Sequence, residues 1–270
     1  MFRKLHRNIA RHLFGKDPYY QDPFDDPAEK FYGRIYLKFL SETIDSGFHR
    51  QRARILDLGC HTGRLSIPLT EAGHEVTGID TSRFLIKQAE KRAAKSGVPC
   101  RFLKGDGFSL LRKFPENHFD VILCTEVLYQ IRNYRDRMQE MVKYLRPGGL
   151  FATSHRTRFF YIVRAIAEKD FKTAEFIRTH SEGEIWGNYF NWQTPSELKE
   201  LYKKIGVEPV LLRPIGTFTG NGADGLAKLC APGTLEASER EALFEIEAAG
   251  SEEFAQLGRY LFIVGRKQET

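Results

Sequence analysis

Short apolar runs alternate with longer stretches of mixed polarity along most of this chain. Apolar runs of about five residues are typical of buried strands, and apolar residues spaced three or four apart are typical of helices. The predicted strands are 54–58, 75–80, 99–104, 119–124, 149–155, 207–213 and 260–264, and the predicted helices are 27–47, 63–72, 82–96, 133–145 and 195–205. Strands that alternate with helices predict an α/β domain whose sheet carries helices on both faces.

Two insertions and an N-terminal extension interrupt this alternation. Residues 156–191 are rich in aromatic side chains and are predicted to form a helical insertion. Residues 215–257 form a second, Glu-rich insertion, which either covers the site or offers a surface to a partner. We expect residues 1–47 to be an N-terminal helical extension and residues 48–270 to be one domain that carries both insertions.

A glycine turn follows the first predicted strand, in the run Asp57-Leu58-Gly59-Cys60-His61-Thr62-Gly63. The second predicted strand ends in Asp80. Such a turn brings the backbone close to a ligand, and a carboxylate at this place can accept hydrogen bonds from both ribose hydroxyls. A dinucleotide fingerprint is excluded because His61 and Arg64 stand where it needs glycines, and a phosphate loop is excluded because no Lys-Ser/Thr follows Gly63.

The pattern D-x-G-x-x-x-G resembles motif I of the class I S-adenosylmethionine-dependent methyltransferases. Three further segments occur in the order typical of that family: 102–108, an apolar run that ends around an acidic residue, 119–131, which resembles motif IV, and the Pro-Gly-Gly turn at 145–151. The resemblance covers about residues 50 to 155. It implies a Rossmann-like sheet of seven strands, with the last strand antiparallel beside the fifth.

The resemblance also implies S-adenosyl-L-methionine as the cofactor. Asp57 would reach its amino-acid end, Asp80 its ribose and Asp106 its adenine amino group. The residues expected to border the cofactor are Asp57, Gly59, Cys60, His61, Gly63, Asp80, Thr81, Asp106, Gly107, Phe108 and Cys124.

Three residues near the ends of the fourth and fifth strands are candidates for catalysis. A general base matters when the methyl acceptor is a phenol or an alcohol, because a proton must leave at neutral pH. His155, at the end of the fifth strand, is predicted to be that base, and a hydrogen-bonded structural histidine is the alternative. Tyr129 and Glu126 follow the fourth strand and are predicted to contact the substrate.

A second, narrower resemblance is to the ubiquinone-biosynthesis O-methyltransferases. It rests on residues 149–157, on the aromatic insertion and on the helix start Thr194-Pro195-Ser196-Glu197-Leu198. It breaks at Tyr129-Gln130, where those enzymes carry Glu-His, so no metal ligand is predicted. The function expected is therefore methyl transfer to a small, largely apolar acceptor at oxygen; the alternatives are an RNA-modifying methyltransferase and a non-catalytic S-adenosylmethionine-binding protein.

The formal net charge of +6 changes this picture little. Five of the six positive units lie in residues 1–16, whereas nucleic-acid enzymes more often carry a basic stripe across the domain, so a nucleic-acid partner is not expected. Residues 2–14 can form a basic amphipathic helix, which leaves docking on the domain, contact with an anionic membrane surface and a cleaved targeting segment open.

A cytoplasmic location, with peripheral contact to a membrane surface as a variant, is expected from two further features. No apolar run approaches the roughly 18 residues that a membrane helix needs. The four cysteines form no C-x-x-C pair, which favours reduced thiols. The oligomeric state is left open.

Overall fold

The computed structural model of this chain describes residues 22–48, 51–220, 230–250 and 252–269. The strands are β1 (Arg54–Leu58), β2 (Glu75–Asp80), β3 (Arg101–Lys104), β4 (Phe119–Cys124), β5 (Leu145–Arg156), β6 (Glu182–Ile185), β7 (Asn188–Asn191), β8 (Val207–Ile215) and β9 (Tyr260–Lys267). Among these strands, β6 and β7 pair with each other alone, and the other seven form one sheet.

The central sheet has the order β3-β2-β1-β4-β5-β9-β8. Strands β1 to β5 pair in parallel, whereas β9 runs antiparallel between β5 and β8. The predicted seven-stranded α/β sheet with an antiparallel last strand is confirmed. The order reverses between β1 and β4, and an open α/β sheet binds its ligand at the carboxyl ends of the strands at such a point.

Helices cover both faces of the sheet. They are α1 (Pro27–Phe48), α2 (Ser66–Glu71), α3 (Arg83–Ser96), α4 (Gly107–Leu111), α5 (Tyr134–Tyr144), α6 (Arg158–Ala167), α7 (Phe171–Thr179), α8 (Pro195–Lys204) and α9 (Ala237–Ala248). Because successive side chains of a strand point to opposite faces, β1 contributes Ile55 to a core beneath α1 and Leu56 to a second core beneath α5 and α8.

Helix α1 packs across the first of these cores. The Tyr36 ring meets the Phe262 ring edge-on at 5.1 Å, and the Phe39 ring stacks on Phe262 at 6.5 Å. The predicted helix 27–47 is therefore confirmed, with one more residue at its end. Residues 2–14, where a basic amphipathic helix is predicted, lie outside the described residues. Of the helices that the structure describes, none is long and apolar enough to cross a membrane.

The prediction of a helical first insertion is correct for α6 and α7 and wrong for the residues after them. After α6 and α7 the chain forms the β6–β7 hairpin, which turns at Trp186 (φ 51°) and Gly187 (φ 78°). Two consecutive left-handed residues suit a two-residue hairpin turn. The aromatic residues of the insertion bury one another in a small core of their own, which includes Phe160, Tyr161 and Trp192.

Candidate functional site

The glycine turn after β1 has a backbone conformation that favours glycine. Gly59 (φ 80°), His61 (φ 51°) and Gly63 (φ 84°) all lie in the left-handed region. A Cβ atom at Gly59 would stand 2.3 Å from Val127 Cγ2, so a side chain has no room there. The turn and the residues that follow β4 are therefore in close contact.

Asp80, at the end of β2, is held by two backbone amides. Its Oδ2 accepts a hydrogen bond from the His61 N–H at 3.1 Å, and its Oδ1 accepts one from the Ser82 N–H at 2.8 Å. Each carboxylate oxygen can accept a second hydrogen bond. The carboxylate can therefore bind two further donors, such as the hydroxyls of a ribose. Thr81, the next residue, is exposed.

Asp57, near the end of β1, is 2% exposed. Its Oδ2 accepts a hydrogen bond from the Ser66 hydroxyl at 2.6 Å. Burial raises the pKa of the Asp57 carboxyl to about 6, although the Ser66 hydrogen bond and the Arg64 charge both act to lower it. Among the described residues no cation lies within 4 Å of this carboxyl, so an ammonium group of a ligand would supply the missing partner.

Asp106 caps the N-terminus of α4, directly after β3. Its carboxylate accepts hydrogen bonds from the Ser109 N–H at 3.1 Å and the Ser109 hydroxyl at 2.5 Å, and these bonds lower its pKa. A Cβ atom at Gly107 would stand 2.7 Å from Leu58 Cδ2, so this position lies close against the end of β1. Phe108 is half-buried beside Arg137. The ends of β1, β2 and β3 therefore present Asp57, Asp80 and Asp106 along one edge of the sheet.

The segment before α1 covers the glycine turn. The Phe24 ring meets the His61 ring edge-on at 4.6 Å and lies 3.8 Å from the Arg64 guanidinium. Asp22 accepts a hydrogen bond from the Thr62 hydroxyl at 2.5 Å. We call residues 22–25 the covering segment.

A cavity of about 20 Å³ remains between the covering segment and the turn. It is lined by Phe24, Asp57, Gly59, Cys60, His61, Arg64, Leu65 and Thr125. A cavity of this size holds about one water molecule, so a larger ligand enters only if the covering segment shifts. The residues themselves suit the implied cofactor, because a side chain has no room at Gly59 or Gly63 and two carboxylates, Asp57 and Asp80, adjoin the turn. Sequence reasoning missed Phe24 and Thr125; the acidic residues Asp22, Asp25 and Asp26 on either side of Phe24 are the signal that could have pointed to the covering segment.

The structure does not bring Cys124 into this cavity. Its side chain is fully buried in the core beneath α5, and burial raises the pKa of its thiol. Cys60 is also buried, although it lines the cavity. Both thiols are free. Thr125 therefore takes the place beside the turn that was predicted for Cys124.

Glu126 is the centre of a buried polar cluster at the end of β4. Its carboxylate accepts hydrogen bonds from Arg64 at 2.5 Å and from the Tyr260 hydroxyl at 2.7 Å. Its backbone is left-handed (φ 59°), and its N–H donates to the Ser154 hydroxyl at 2.7 Å. Burial alone would raise the pKa of Glu126, but the Arg64 charge and these hydrogen bonds outweigh it and lower the pKa. The carboxylate is therefore ionised at neutral pH.

His155 does not face this cluster. Side chains alternate along β5, so His155 points with Thr153 to the α5 face, whereas Ser154 lies on the face of Glu126. His155 is fully buried, its Nε2 lies 2.8 Å from the Thr153 hydroxyl, and burial lowers its pKa to about 3. The geometry fits the structural alternative, and a general base at His155 finds no support. Tyr129, in contrast, is half-buried on the cluster's face, with its ring 6.2 Å from the Tyr260 ring.

Metal ligands were not predicted, and the described ranges contain no group of three or more His, Cys, Asp or Glu side chains that could hold a metal ion. Tyr129-Gln130 stands where the ubiquinone-biosynthesis enzymes carry Glu-His, and Glu126 is the acidic residue nearest to it. The Glu126 carboxylate accepts hydrogen bonds from Arg64 and Tyr260.

Comparison with known proteins gives a consistent result. A family model described as a methyltransferase domain matches residues 49–203. The ubiquinone biosynthesis O-methyltransferase of Rickettsia canadensis (strain McKiel) is 29% identical over 184 residues, which are 64% of this chain and 71% of the relative. The enzyme of the same name from Maricaulis maris (strain MCS10) is 32% identical over 145 residues, which are 49% of this chain and 57% of the relative.

Solved structures share the fold. Magnesium protoporphyrin IX methyltransferase from Synechocystis PCC 6803, with bound SAH, has a TM-score of 0.59 at 12% identity, over 99% of this chain and 96% of its own. The [4+2]-cyclase SpnF has a TM-score of 0.56 at 19% identity, over 86% of this chain and 81% of its own. At such low identities the likeness shows the fold alone. One of these two proteins is named as a methyltransferase and the other as a cyclase, so the shared fold does not specify the reaction.

Proposed function

Since this chain belongs to the S-adenosylmethionine-dependent methyltransferase family, we propose that it transfers the methyl group to an oxygen atom of a small, largely apolar acceptor. The observation that carries the acceptor class is a set of aromatic rings around Arg156 at the end of β5, which consists of Tyr129, Phe160 and Tyr260. Tyr260 joins this set to Glu126 through its hydroxyl. Small-molecule pockets are mostly apolar with a few placed polar groups. The names of the curated relatives, which are O-methyltransferases, support oxygen as the acceptor atom.

We propose that the cofactor lies along the row of carboxylates at the ends of β1 to β3. Asp57 would bind its ammonium group, Asp80 its ribose and Asp106 its adenine, and the turn at Gly59 would let it approach the backbone. The cofactor supplies a methyl group that is already activated on a sulfonium. The chain therefore contributes mainly binding, orientation and the exclusion of water.

Glu126 is the group that we propose to orient the acceptor hydroxyl. Each of its carboxylate oxygens already accepts one hydrogen bond, from Arg64 or from Tyr260, and can accept a second. A carboxylate with a lowered pKa is a weak base. We therefore assign Glu126 to positioning, and Tyr129 to packing against the acceptor ring.

The proposal is tested by turnover with a panel of acceptors. Ethylcatechol, ethylaniline and bulk tRNA offer oxygen, nitrogen and RNA acceptors, and S-adenosylhomocysteine release is measured for each. We expect release with ethylcatechol only. Release with ethylaniline or tRNA, and none with the catechol, would contradict an oxygen acceptor.

We also propose that residues 2–14 contact an anionic membrane surface and that the protein is located in the cytoplasm. The pattern Phe2, Leu5, Ile9 and Leu13 opposite the basic residues supports membrane contact. Co-sedimentation with anionic vesicles should fall when residues 2–14 are deleted, and unchanged co-sedimentation would contradict this contact.

A further inference from the structure

Arg156, the last residue of β5, occupies an unusual place for a cation. It lies opposite Tyr260 on β9, and its side chain is on the same face of the sheet as Ser154 and the Glu126 cluster. The residue is only 9% exposed. Burial of a guanidinium is costly unless the charge is paired and hydrogen-bonded, so the surroundings of Arg156 should contain a compensating group.

Aromatic rings supply only part of that compensation. The Arg156 guanidinium carbon lies 4.0 Å from the centre of the Tyr260 ring, 4.5 Å from that of Phe160 and 5.1 Å from that of Tyr129. Rings attract a cation through their faces, but they do not accept the in-plane N–H groups of a guanidinium as an oxygen does. The hydrogen-bonding capacity of Arg156 is therefore not used by these contacts.

No described residue accepts a hydrogen bond from this guanidinium. The Nε and Nη1 atoms of Arg156 are buried, and neither has a hydrogen-bond partner among the described residues. No carboxylate of these residues lies within 4 Å of the guanidinium. Two neighbouring arginines differ in that each has a carboxylate partner: Arg64 pairs with Glu126 at 2.5 Å, and Arg158 pairs with Glu197 at 2.7 Å. Buried donors without a partner are rare in folded proteins, so the guanidinium of Arg156 is available to an acceptor that the described part of the chain does not provide.

We propose that Arg156 binds a carboxylate carried by the methyl acceptor. A planar guanidinium matches a carboxylate with two parallel hydrogen bonds, and the surrounding rings suit the flat ring to which such a carboxylate would be attached. This inference rests on the proposed function, because it assigns the acceptor to the aromatic neighbourhood of Glu126. It narrows the acceptor class to hydroxylated aromatic carboxylates.

Benzoate is the probe that separates this site from catalysis, since it carries the carboxylate and the ring but no hydroxyl. The full chain, saturated with S-adenosylhomocysteine, is titrated with benzoate and with uncharged benzyl alcohol by calorimetry and by thermal denaturation. We expect benzoate to bind at least about tenfold more tightly than benzyl alcohol and to raise the melting temperature, because charged hydrogen bonds of this kind are worth more than 1.4 kcal/mol.

Arg156→Met is the matching variant, since methionine is apolar and flexible enough to fill the space between the rings. Benzoate affinity should fall at least about tenfold with unchanged S-adenosylhomocysteine affinity. Arg156→Lys keeps the charge, loses the planar fork and should give an intermediate affinity. Arg158→Met, which removes a paired arginine nearby, should leave benzoate affinity unchanged.

Equal binding of benzoate and benzyl alcohol by the unmodified protein would overturn the proposal, whether or not any variant folds. Equal benzoate affinity of the Arg156→Met protein would overturn it as well. The proposed function fails separately: benzoate binding without methylation of any phenol would leave the carboxylate site in place and contradict oxygen methylation. Methylation of ethylcatechol without benzoate binding would support oxygen methylation and contradict the carboxylate site.

Discussion

The backbone N–H of His61 donates a hydrogen bond to Asp80 Oδ2 across 3.1 Å. This bond joins the glycine turn after β1 to the carboxylate at the end of β2. It uses only the backbone of His61, whose left-handed conformation (φ 51°) is one that glycine adopts without strain. The side chain at position 61 is therefore not needed to orient the Asp80 carboxylate.

His61→Gly should accordingly leave S-adenosylhomocysteine affinity within about threefold of the unmodified protein, because the N–H and its direction are kept. His61→Val should instead lower the melting temperature, since a β-branched residue is strained at positive φ. Calorimetry and thermal denaturation measure the two effects. Loss of turnover in His61→Gly with intact binding would contradict this account, because it would give the imidazole a catalytic role.

Gly59 and Gly97 test the close approach between the glycine turn and the end of β4. Both have positive φ, but a Cβ atom at Gly59 meets Val127 Cγ2 at 2.3 Å, whereas one at Gly97 meets no atom of the described residues within 4 Å. Gly97→Ala should cost about 1 to 2 kcal/mol of unfolding free energy through backbone strain alone. Gly59→Ala should cost clearly more, as measured by urea denaturation.

Val127→Ala removes the methyl group that a side chain at 59 would strike. It should therefore recover part of the stability that Gly59→Ala loses, and it should recover none for Gly97→Ala. Equal costs for the two glycines, or no recovery in the double variant, would mean that the turn does not contact Val127 in solution.

Asp57 predicts a pH dependence of cofactor binding. Burial raises the folded-state pKa of the Asp57 carboxyl to about 6 from an ordinary value of 3.8. The contribution of this group to the free energy of unfolding is therefore fully present below its unfolded-state pKa and is lost as the pH rises through 6. At pH 7 the buried carboxylate costs about 3 kcal/mol. Asp57→Asn should therefore stabilise the free protein at pH 7 and lose this gain near pH 4.

Cofactor affinity should change in the opposite sense, because only the ionised carboxylate binds an ammonium group. Between pH 7.5 and pH 5, S-adenosylhomocysteine affinity should fall about tenfold, as expected for a group with a pKa near 6. Asp57→Asn should bind weakly at both pH values. A flat affinity profile in the unmodified protein would contradict the assignment of Asp57 to the ammonium group.

Glu126 and Arg64 form a buried ion pair whose removal should be measurable. Glu126→Gln should lower the unfolding free energy by about 3 kcal/mol, because Arg64 is left with a buried charge that is only partly compensated. Arg64→Met should then cost less in the Glu126→Gln background than alone. Glu175→Gln, which breaks an exposed pair with Arg178, should change nothing measurable. Additive costs of the Glu126 and Arg64 variants would contradict a direct interaction.

The sequence predicts the sheet well because strand signals are local. Strands 54–58, 75–80 and 119–124 are found with the predicted bounds, and Thr194, at the predicted helix start, forms a capping box with Glu197. Each of these elements is specified by its own apolar run or cap residues. The β6–β7 hairpin was missed because aromatic content does not distinguish a helix from a strand, and only Gly187 marks the turn.

The site was predicted less well, since it depends on which face a side chain occupies and on contacts distant in sequence. His155 was placed correctly at the end of a strand, but the alternation of β5 turns it away from Glu126 and turns Arg156 towards the cluster. Phe24 and Tyr260 reach the site from 35 or more residues away along the chain, and no local pattern reports such a contact.

The central claim is that the cofactor lies against Asp80 at the carboxyl end of the sheet. Titration calorimetry with S-adenosylhomocysteine tests it on the unmodified protein, on Asp80→Ala and on Asp136→Ala, an exposed carboxylate on α5. We predict saturable binding to the unmodified protein and to Asp136→Ala, and at least about tenfold weaker binding to Asp80→Ala, which loses charge-assisted hydrogen bonds to the ribose. Equal affinity of a folded Asp80→Ala protein, or no binding by the unmodified one, would contradict the account.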